Sequence, residues 1–253
     1  DTAFGGGPYL GSSGDGSGVS LIELIPSIAR HGYGRLQICH FHLESREATY
    51  LKQLRETMAT SGVAAEMLLV DDGDLTDPDI AGQLTWYRSW LDAAAQLGMT
   101  SVRIGAGRQA PTPERLEQSG RLLAQLAAEY PGMQIVTENW LATTPNAASL
   151  LAVMDAAGPD VGLLIDLGNW KAPEKYADLA AIADRAVSCH AKCHFTATGP
   201  DDADFRQSLE ILRAAGFSGT MALIYDGPDP DEWAGLDLEW AIVQSVFGSD
   251  QTG

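Results

Sequence analysis

Cysteine is scarce in this chain: Cys39, Cys189 and Cys193 are the only three in 253 residues. So few thiols, odd in number, argue against a disulfide framework and for reduced cysteines. Cations are scarce too. With 16 Lys and Arg against 34 Asp and Glu, the net charge of −18 repels polyanions and leaves little to line a basic groove, so no nucleic-acid partner is expected. No apolar run approaches the roughly 20 residues of a membrane-spanning helix. The opening DTAFGGGPYL lacks the basic and apolar regions of a signal peptide. These absences imply no membrane partner and a cytoplasmic location. Also missing is a GxGxxG or P-loop after the first good strand, which weakens a nucleotide-binding open sheet.

What is present is 45% hydrophobic residues in a chain long enough for one large core. They are arranged as a repeated unit, an amphipathic helix ending at Gly and a short apolar strand soon after. SLIELIPSIARHG carries Leu21, Leu24, Ile25 and Ile28 at helical spacing, stops near Gly32 and leads to LQICHFHL; TYLKQLRETMATSG stops at Gly62 and leads to AAEMLLVDD. Asp77 and Pro78 read as the cap and first residue of a helix ending at Gly98 before TSVRIGAG. Thr112-Pro113 and Thr144-Pro145 read the same way, before MQIVTENW and VGLLIDLGNW. AVSCHAKCHF follows, then DFRQSLEILRAAG, then TMALIYDG.

The seven strand candidates recur at roughly thirty-residue intervals, the length of a strand, a crossover helix and two loops. Runs such as MLLV and VGLLI are continuously apolar, as strands of a parallel sheet covered on both faces should be. If residues near Ala3 to Leu10 add an irregular first strand, the sheet closes. The expected fold is therefore α/β, a (β/α)8 TIM barrel in one domain over residues 1–253, with an open doubly wound sheet as the rival. Residues 11 to 19 and 197 to 204 read as long loops on the strand-exit side, where barrels keep substrate-handling groups.

Polar residues at the carboxyl ends of such strands are the informative ones, because the strands themselves do not need them. TENW ends one strand with Glu138, LLIDLGNW the next with Asp166, and SCHAKCHF the one after with His190 and Lys192. Two carboxylates and an imidazole from successive strands suit one divalent cation, Mn, Mg, Co or Zn. Taken singly, each could be a cap or loop anchor.

Period-two alternation puts His40 and His42 on one face with Ile38. It also puts His190, Lys192 and His194 on one face of their strand and Cys189, Ala191 and Cys193 on the other, which argues against a Cys/His zinc site. Lys192 suits either an ion pair with a strand-end carboxylate or stabilisation of developing negative charge. Trp140 and Trp170 each follow an Asn, Asn139 and Asn169, a pairing that suits the apolar face and hydroxyls of a sugar or the packing of loops. DDGDLTDPD at 71–79 lacks calcium-loop spacing and its closing Glu, so it reads as a solvated loop.

IVTENW, GLLIDLGNW, SCHAKCHF, LGMTSVRIGAG and GFSGTMALIYDG, in this order, resemble the xylose-isomerase-like barrel superfamily. This is the sugar phosphate isomerase/epimerase group that also includes endonuclease IV, and the likeness runs from around Ser20 onward. The resemblance implies a divalent metal held by Glu, Asp, His and Glu at successive strand ends, and Glu138, Asp166 and His190 match the first three. It also places Arg103, His40 and His42 near a substrate.

The fourth position departs. Leu223-Ile224-Tyr225-Asp226-Gly227 puts Ile224 where relatives carry the last glutamate, and Asp226 lies two residues on, about 7 Å along a strand. The implied function is a metal-assisted isomerase, epimerase or related lyase acting on a small polyhydroxylated carbonyl compound. The catalytic set is then Glu138, His190 and Lys192, with His40, His42, Arg103, Trp140, Asn169 and Asp226 around the substrate. The alternative is a metal-free or impaired sugar-binding barrel, one subunit of a complex, because of Ile224. Phosphodiester cleavage comes last, since five His and an acidic surface do not suit it. Acidic barrels of this kind often pair, which leaves a homo-oligomer open.

Overall fold

Side-chain caps set the helix starts. In the computed structural model, which describes residues 2–5, 19–196, 199–228 and 231–248, Ser20 caps α1 (Leu21–Arg30) in a reciprocal box with Glu23. Helix α2 (Ala48–Ser61) ends at Gly62, whose φ of 73° is the left-handed conformation that favours glycine. Two later starts differ from the Asp77-Pro78 and Thr144-Pro145 readings. Asp79 caps α3 (Ile80–Leu97), because Asp77 turns its own carboxylate to the Asp79 N–H at 2.7 Å. Thr112 caps α4 (Pro113–Glu129) with Pro113 in the first turn, as its sequence indicates. Asn146, not Thr144, caps α5 (Ala147–Ala157), since the Thr144 hydroxyl donates to Trp140 O at 2.5 Å. Helices α6 (Lys175–Ile182), α7 (Asp202–Ala214) and α8 (Glu232–Phe247) complete the set; α6, which runs on into a 3-10 turn without a closing Gly, and α8, which ends at Gly248, are additions to the sequence reading.

The strands are β1 (Thr2–Gly5), β2 (Arg35–Cys39), β3 (Ala64–Val70), β4 (Ser101–Ile104), β5 (Gln134–Glu138), β6 (Val161–Asp166) and β7 (Ala186–Lys192), followed by the short β8 (Phe195–Thr196) and β9 (Gly199–Pro200) and by β10 (Thr220–Ile224). Strands β1 to β7 and β10 close a parallel barrel in the order β1-β10-β7-β6-β5-β4-β3-β2. Strand β1 makes the closure by pairing with both β2 and β10. The first strand expected near Ala3 to Leu10 is thus met at Thr2–Gly5, while 6–10 and most of the 11–19 loop lie outside the described residues. Closure rules out the open sheet. In the expected 197–204 loop, β8 and β9 form an antiparallel hairpin and α7 already begins at Asp202; residues 197 and 198 lie outside the described ones.

Alternation along each strand divides the apolar side chains into two layers. Met67, Leu69, Val136 and Leu164 cluster inside the barrel, with Cys39 against them. Their neighbours Leu68, Ile135, Leu163, Ile165, Cys189 and Ala191 face outward into the helix layer. With both faces covered, the strands need no polar residues, which accounts for the continuous apolar runs. No helix of the described residues is long and apolar enough to cross a membrane.

Helices α4 and α5 approach closely at Gly120, where a Cβ would lie 2.5 Å from Val153 O and 2.6 Å from the Ala156 Cβ. Gly120→Val is therefore expected to lower unfolding free energy by about 1–3 kcal/mol in denaturant titrations. A second test concerns pH. Glu239 on α8 accepts the Cys193 N–H at 2.9 Å through Oε1, while Oε2 is buried without a hydrogen-bond partner. Burial pushes its carboxyl well above the usual glutamate range. Its contribution to stability is complete below the unfolded-state pKa of about 4.3 and is lost as pH rises through the higher folded-state value. Glu239→Gln should match the wild type in mild acid and exceed it at neutral pH, as chemical denaturation at both pH values would show.

Candidate functional site

Strands β5, β6 and β7 are neighbours, and each brings a polar side chain to the inner rim. Glu138 and Asp166 end β5 and β6, and Asp166 pairs in register with His190 of β7. Glu138 is 3% exposed, Asp166 4% and His190 2%. One donor atom from each lies within 4.8 Å of the other two. His190 Nδ1 is 3.5 Å from Asp166 Oδ2 and 3.7 Å from Glu138 Oε1. Those spacings exceed the 2.7–2.9 Å of charge-assisted hydrogen bonds. They suit donors that share an ion, since two atoms each about 2.1 Å from one centre at a tetrahedral angle lie about 3.4 Å apart.

Electrostatics agree with that geometry. Burial alone would lower the His190 imidazole, but hydrogen bonding and charge from Asp166 and Glu138 outweigh it and raise its pKa. Burial would raise the Asp166 carboxyl, yet His190, Lys192 and the Gly168 N–H together hold it below the usual aspartate range. Positive charge is thus favoured at the centre of the cluster, whether a proton or a metal brings it. Two carboxylate oxygens and an imidazole nitrogen form a donor set that fits Mn, Mg, Co or Zn.

Neighbouring strands hold the cluster in place. Arg103 reaches in from β4, with Nε 3.0 Å from Glu138 Oε2, Nη2 2.5 Å from Asp71 Oδ1, and its guanidinium 4.9 Å from the centroid of the Trp140 ring. Asn169 Nδ2 donates to Glu138 Oε1 at 2.9 Å. Asn139 joins the ends of β5 and β6, donating to Asp166 O at 2.9 Å and accepting the Asp166 N–H at 2.6 Å. The Gly168 N–H donates to Asp166 Oδ1 at 2.6 Å. Lys192 Nζ pairs with Asp226 at 2.6 Å. Ile224 lies in register with Lys192, which puts its hydrocarbon side chain on the same inward face.

Several sequence readings change here. Strand β2 stops at Cys39, and His40 and His42 lie in one 3-10 turn, so they do not share a strand face with Ile38. The cause is local. His40 Nδ1 accepts the Asp71 N–H at 3.2 Å and Nε2 lies 3.3 Å from Asp72, edge-on to Trp86 and Trp90, which turns the chain before a strand can continue. Burial lowers the pKa of both histidines. His194 lies beyond the end of β7, so only His190 and Lys192 share the inward face. Trp170 packs a loop, its Nε1 donating to Thr144 O at 3.1 Å, whereas Trp140 is half-buried beside Arg103. Sequence reasoning missed Asp71, the structural role of Asn139, and Gln37, whose Oε1 is 2.9 Å from His190 Nε2. The available signal for Gln37 was a polar residue within the apolar run LQIC.

These features define a class: a closed parallel α/β barrel with a buried Glu–Asp–His cluster where its strands end. The chain belongs to the xylose isomerase-like TIM barrel family, whose family model matches residues 25–242. Similar solved structures include the 3-keto-D-glucoside 4-epimerase of E. coli, with TM-score 0.69 and 15% identity over 96% of this chain and 98% of that one. A xylose isomerase domain protein from Planctomyces limnophilus gives TM-score 0.70 and 16% identity over 97% of each chain. A D-allulose 3-epimerase from Methylomonas sp. gives TM-score 0.69 and 20% identity over 95% and 96%. At such identities these likenesses speak for the fold. No curated protein sequence matches the chain.

Arg103 joins Glu138 to Asp71 in a buried ion pair, so removing one partner strands the others. Arg103→Met is expected to cost about 3–5 kcal/mol of stability, and Arg103→Met/Glu138→Gln distinctly less. Urea unfolding of both variants measures the difference, and equal losses would contradict the pairing.

Proposed function

We propose that this chain is a metal-assisted isomerase or epimerase of a small sugar or related polyhydroxylated carbonyl compound. The observation that carries the reading is the convergence of Glu138, Asp166 and His190 at spacings suited to a shared ion. The substrate class is supported by the sugar epimerases among the similar structures. Glu138, Asp166 and His190 would hold the ion, which when bound polarises a carbonyl and its adjacent hydroxyl.

Glu138 is the base that takes the proton from the carbon beside the carbonyl. Asn169 steadies its Oε1, while Oε2 lies against Arg103 Nε without an aligned hydrogen bond and keeps a lone pair for that proton. Lys192, held by Asp226, supplies fixed positive charge for the developing oxyanion. Trp140 offers an apolar face to the sugar ring, and Arg103, Asn169, Asp226 and the histidines of the 3-10 turn, His40 and His42, border the substrate. Ile224 leaves no second carboxylate on β10. A lone carboxylate returns a proton to the face it came from, which moves a carbonyl along the chain; inversion at one carbon requires Lys192 as the opposing acid. Ile224 also favours a second reading, a sugar-binding barrel without turnover.

Metal analysis of protein purified without chelator is expected to find one equivalent of Mn, Mg, Co or Zn, lost in Asp166→Asn. In D2O, D-fructose, D-tagatose, D-psicose and 3-keto-glucosides form the panel, and proton NMR should show deuterium entering one of them beside its carbonyl. Glu138→Gln is expected to slow that exchange roughly 100-fold or more. A metal-free protein that binds a sugar without exchanging deuterium would establish the second reading instead.

A further inference from the structure

Beneath the cluster, the barrel interior holds a short polar column. Gln37 is 1% exposed, and its Oε1 meets His190 Nε2 at 2.9 Å. Glu66 is the residue left over where the register of β2 and β3 steps, Leu36 pairing with Ala65 but Gln37 with Met67. A bulge of this kind re-aims a side chain. Here it brings a buried carboxyl within reach of Thr220, Gln37 and His190. Burial raises the Glu66 carboxyl, while Thr220, Arg35, Gln37 and His190 all favour its ionised form.

Gln37 Nε2 and Glu66 Oε2 are both buried without a hydrogen-bond partner. An orphan donor beside an orphan acceptor calls for pairing, directly or through one water. That need decides which way the Gln37 amide points. Its NH2 belongs on the Glu66 side, so its oxygen belongs on the His190 side. A carboxamide oxygen only accepts, so the imidazole facing it must carry its proton on Nε2, and Nδ1 presents a lone pair to Glu138 and Asp166.

We infer that Gln37, oriented by Glu66 across the β2–β3 bulge, is a positioning residue that holds His190 as the Nε2–H tautomer and so offers Nδ1 to a divalent cation. The cation half of this rests on the proposed metal site; the tautomer half does not. With the amide reversed, Nδ1 would carry the proton and donate to the two carboxylates, and the cluster would be a hydrogen-bonded group with no lone pair for an ion.

The test uses the full chain with 15N-labelled histidine. Long-range 1H–15N spectra, recorded where the imidazole is neutral and assigned with His190→Asn, should show the Nε2–H pattern for His190 in both metal-free and Zn2+-loaded protein. Gln37→Leu should shift the metal-free pattern toward Nδ1–H and weaken Zn2+ binding by roughly 10–100-fold in calorimetry. The exchange Gln37→Glu/Glu66→Gln keeps an acceptor against His190 and a donor beneath it, and should restore both readouts. An Nδ1–H pattern in the wild type overturns the inference without any variant. So does a folded Gln37→Leu protein with unchanged tautomer and affinity. Failure of Zn2+ to bind the wild type, with a tautomer that still responds to Gln37→Leu, would refute the metal reading while upholding the positioning role.

Discussion

Two carboxylates turned toward one buried point beside an imidazole repel each other unless positive charge lies among them. At the effective dielectric of about 20 that suits protein sites, like unit charges 4 Å apart cost about 4 kcal/mol. The surroundings of Glu138, Asp166 and His190 offset that cost. Arg103 comes from β4, Lys192 from β7 beyond His190, and Asn169 and the Gly168 N–H from the loop after β6. These groups come from the contiguous strands β4 to β7 and the loop after β6, and the curvature of the barrel turns them toward one point. The apolar cluster of Met67, Leu69, Val136 and Leu164 fills the inside of the same barrel and limits the polar groups to its mouth and to the column below His190.

The parts of this arrangement legible in sequence were those set by period and position. Glu138, Asp166 and His190 stood out because each interrupts an apolar run at its carboxyl end, and alternation placed His190 and Lys192 on one face away from Cys189 and Ala191. Gly62 and Gly98 marked helix ends because only a left-handed residue closes those turns easily. What stayed hidden depends on pairings between segments far apart in the chain. His40 left the strand because Asp71 and Asp72, thirty residues away, captured its ring. Asp77 ceded the cap of α3 to Asp79 by bonding that residue's own N–H. Glu66 faces inward through a register step that no alternation rule announces. In each case a side chain met a backbone or neighbour that only the folded chain supplies.

The site is lopsided, and the lopsidedness bears on its chemistry. On the β5–β6 side, Glu138 and Asp166 have their oxygens engaged by Arg103, Asn169 and Gly168, so their directions are set before any ligand arrives. On the β10 side, Ile224 offers only hydrocarbon, and Lys192 beside it turns to Asp226 at the rim. A hydrocarbon there adds no negative charge to a crowded centre, and the Lys192 charge acts on Asp166 and Glu138 as well as on its partner Asp226. In the proposed chemistry, an enolate formed and quenched on one face needs a cation that stays still beside it. The short contact between Lys192 and Asp226 provides that stillness, while Glu138 Oε2, 3.0 Å from Arg103 Nε without an aligned hydrogen bond, is held by charge rather than by a directional bond.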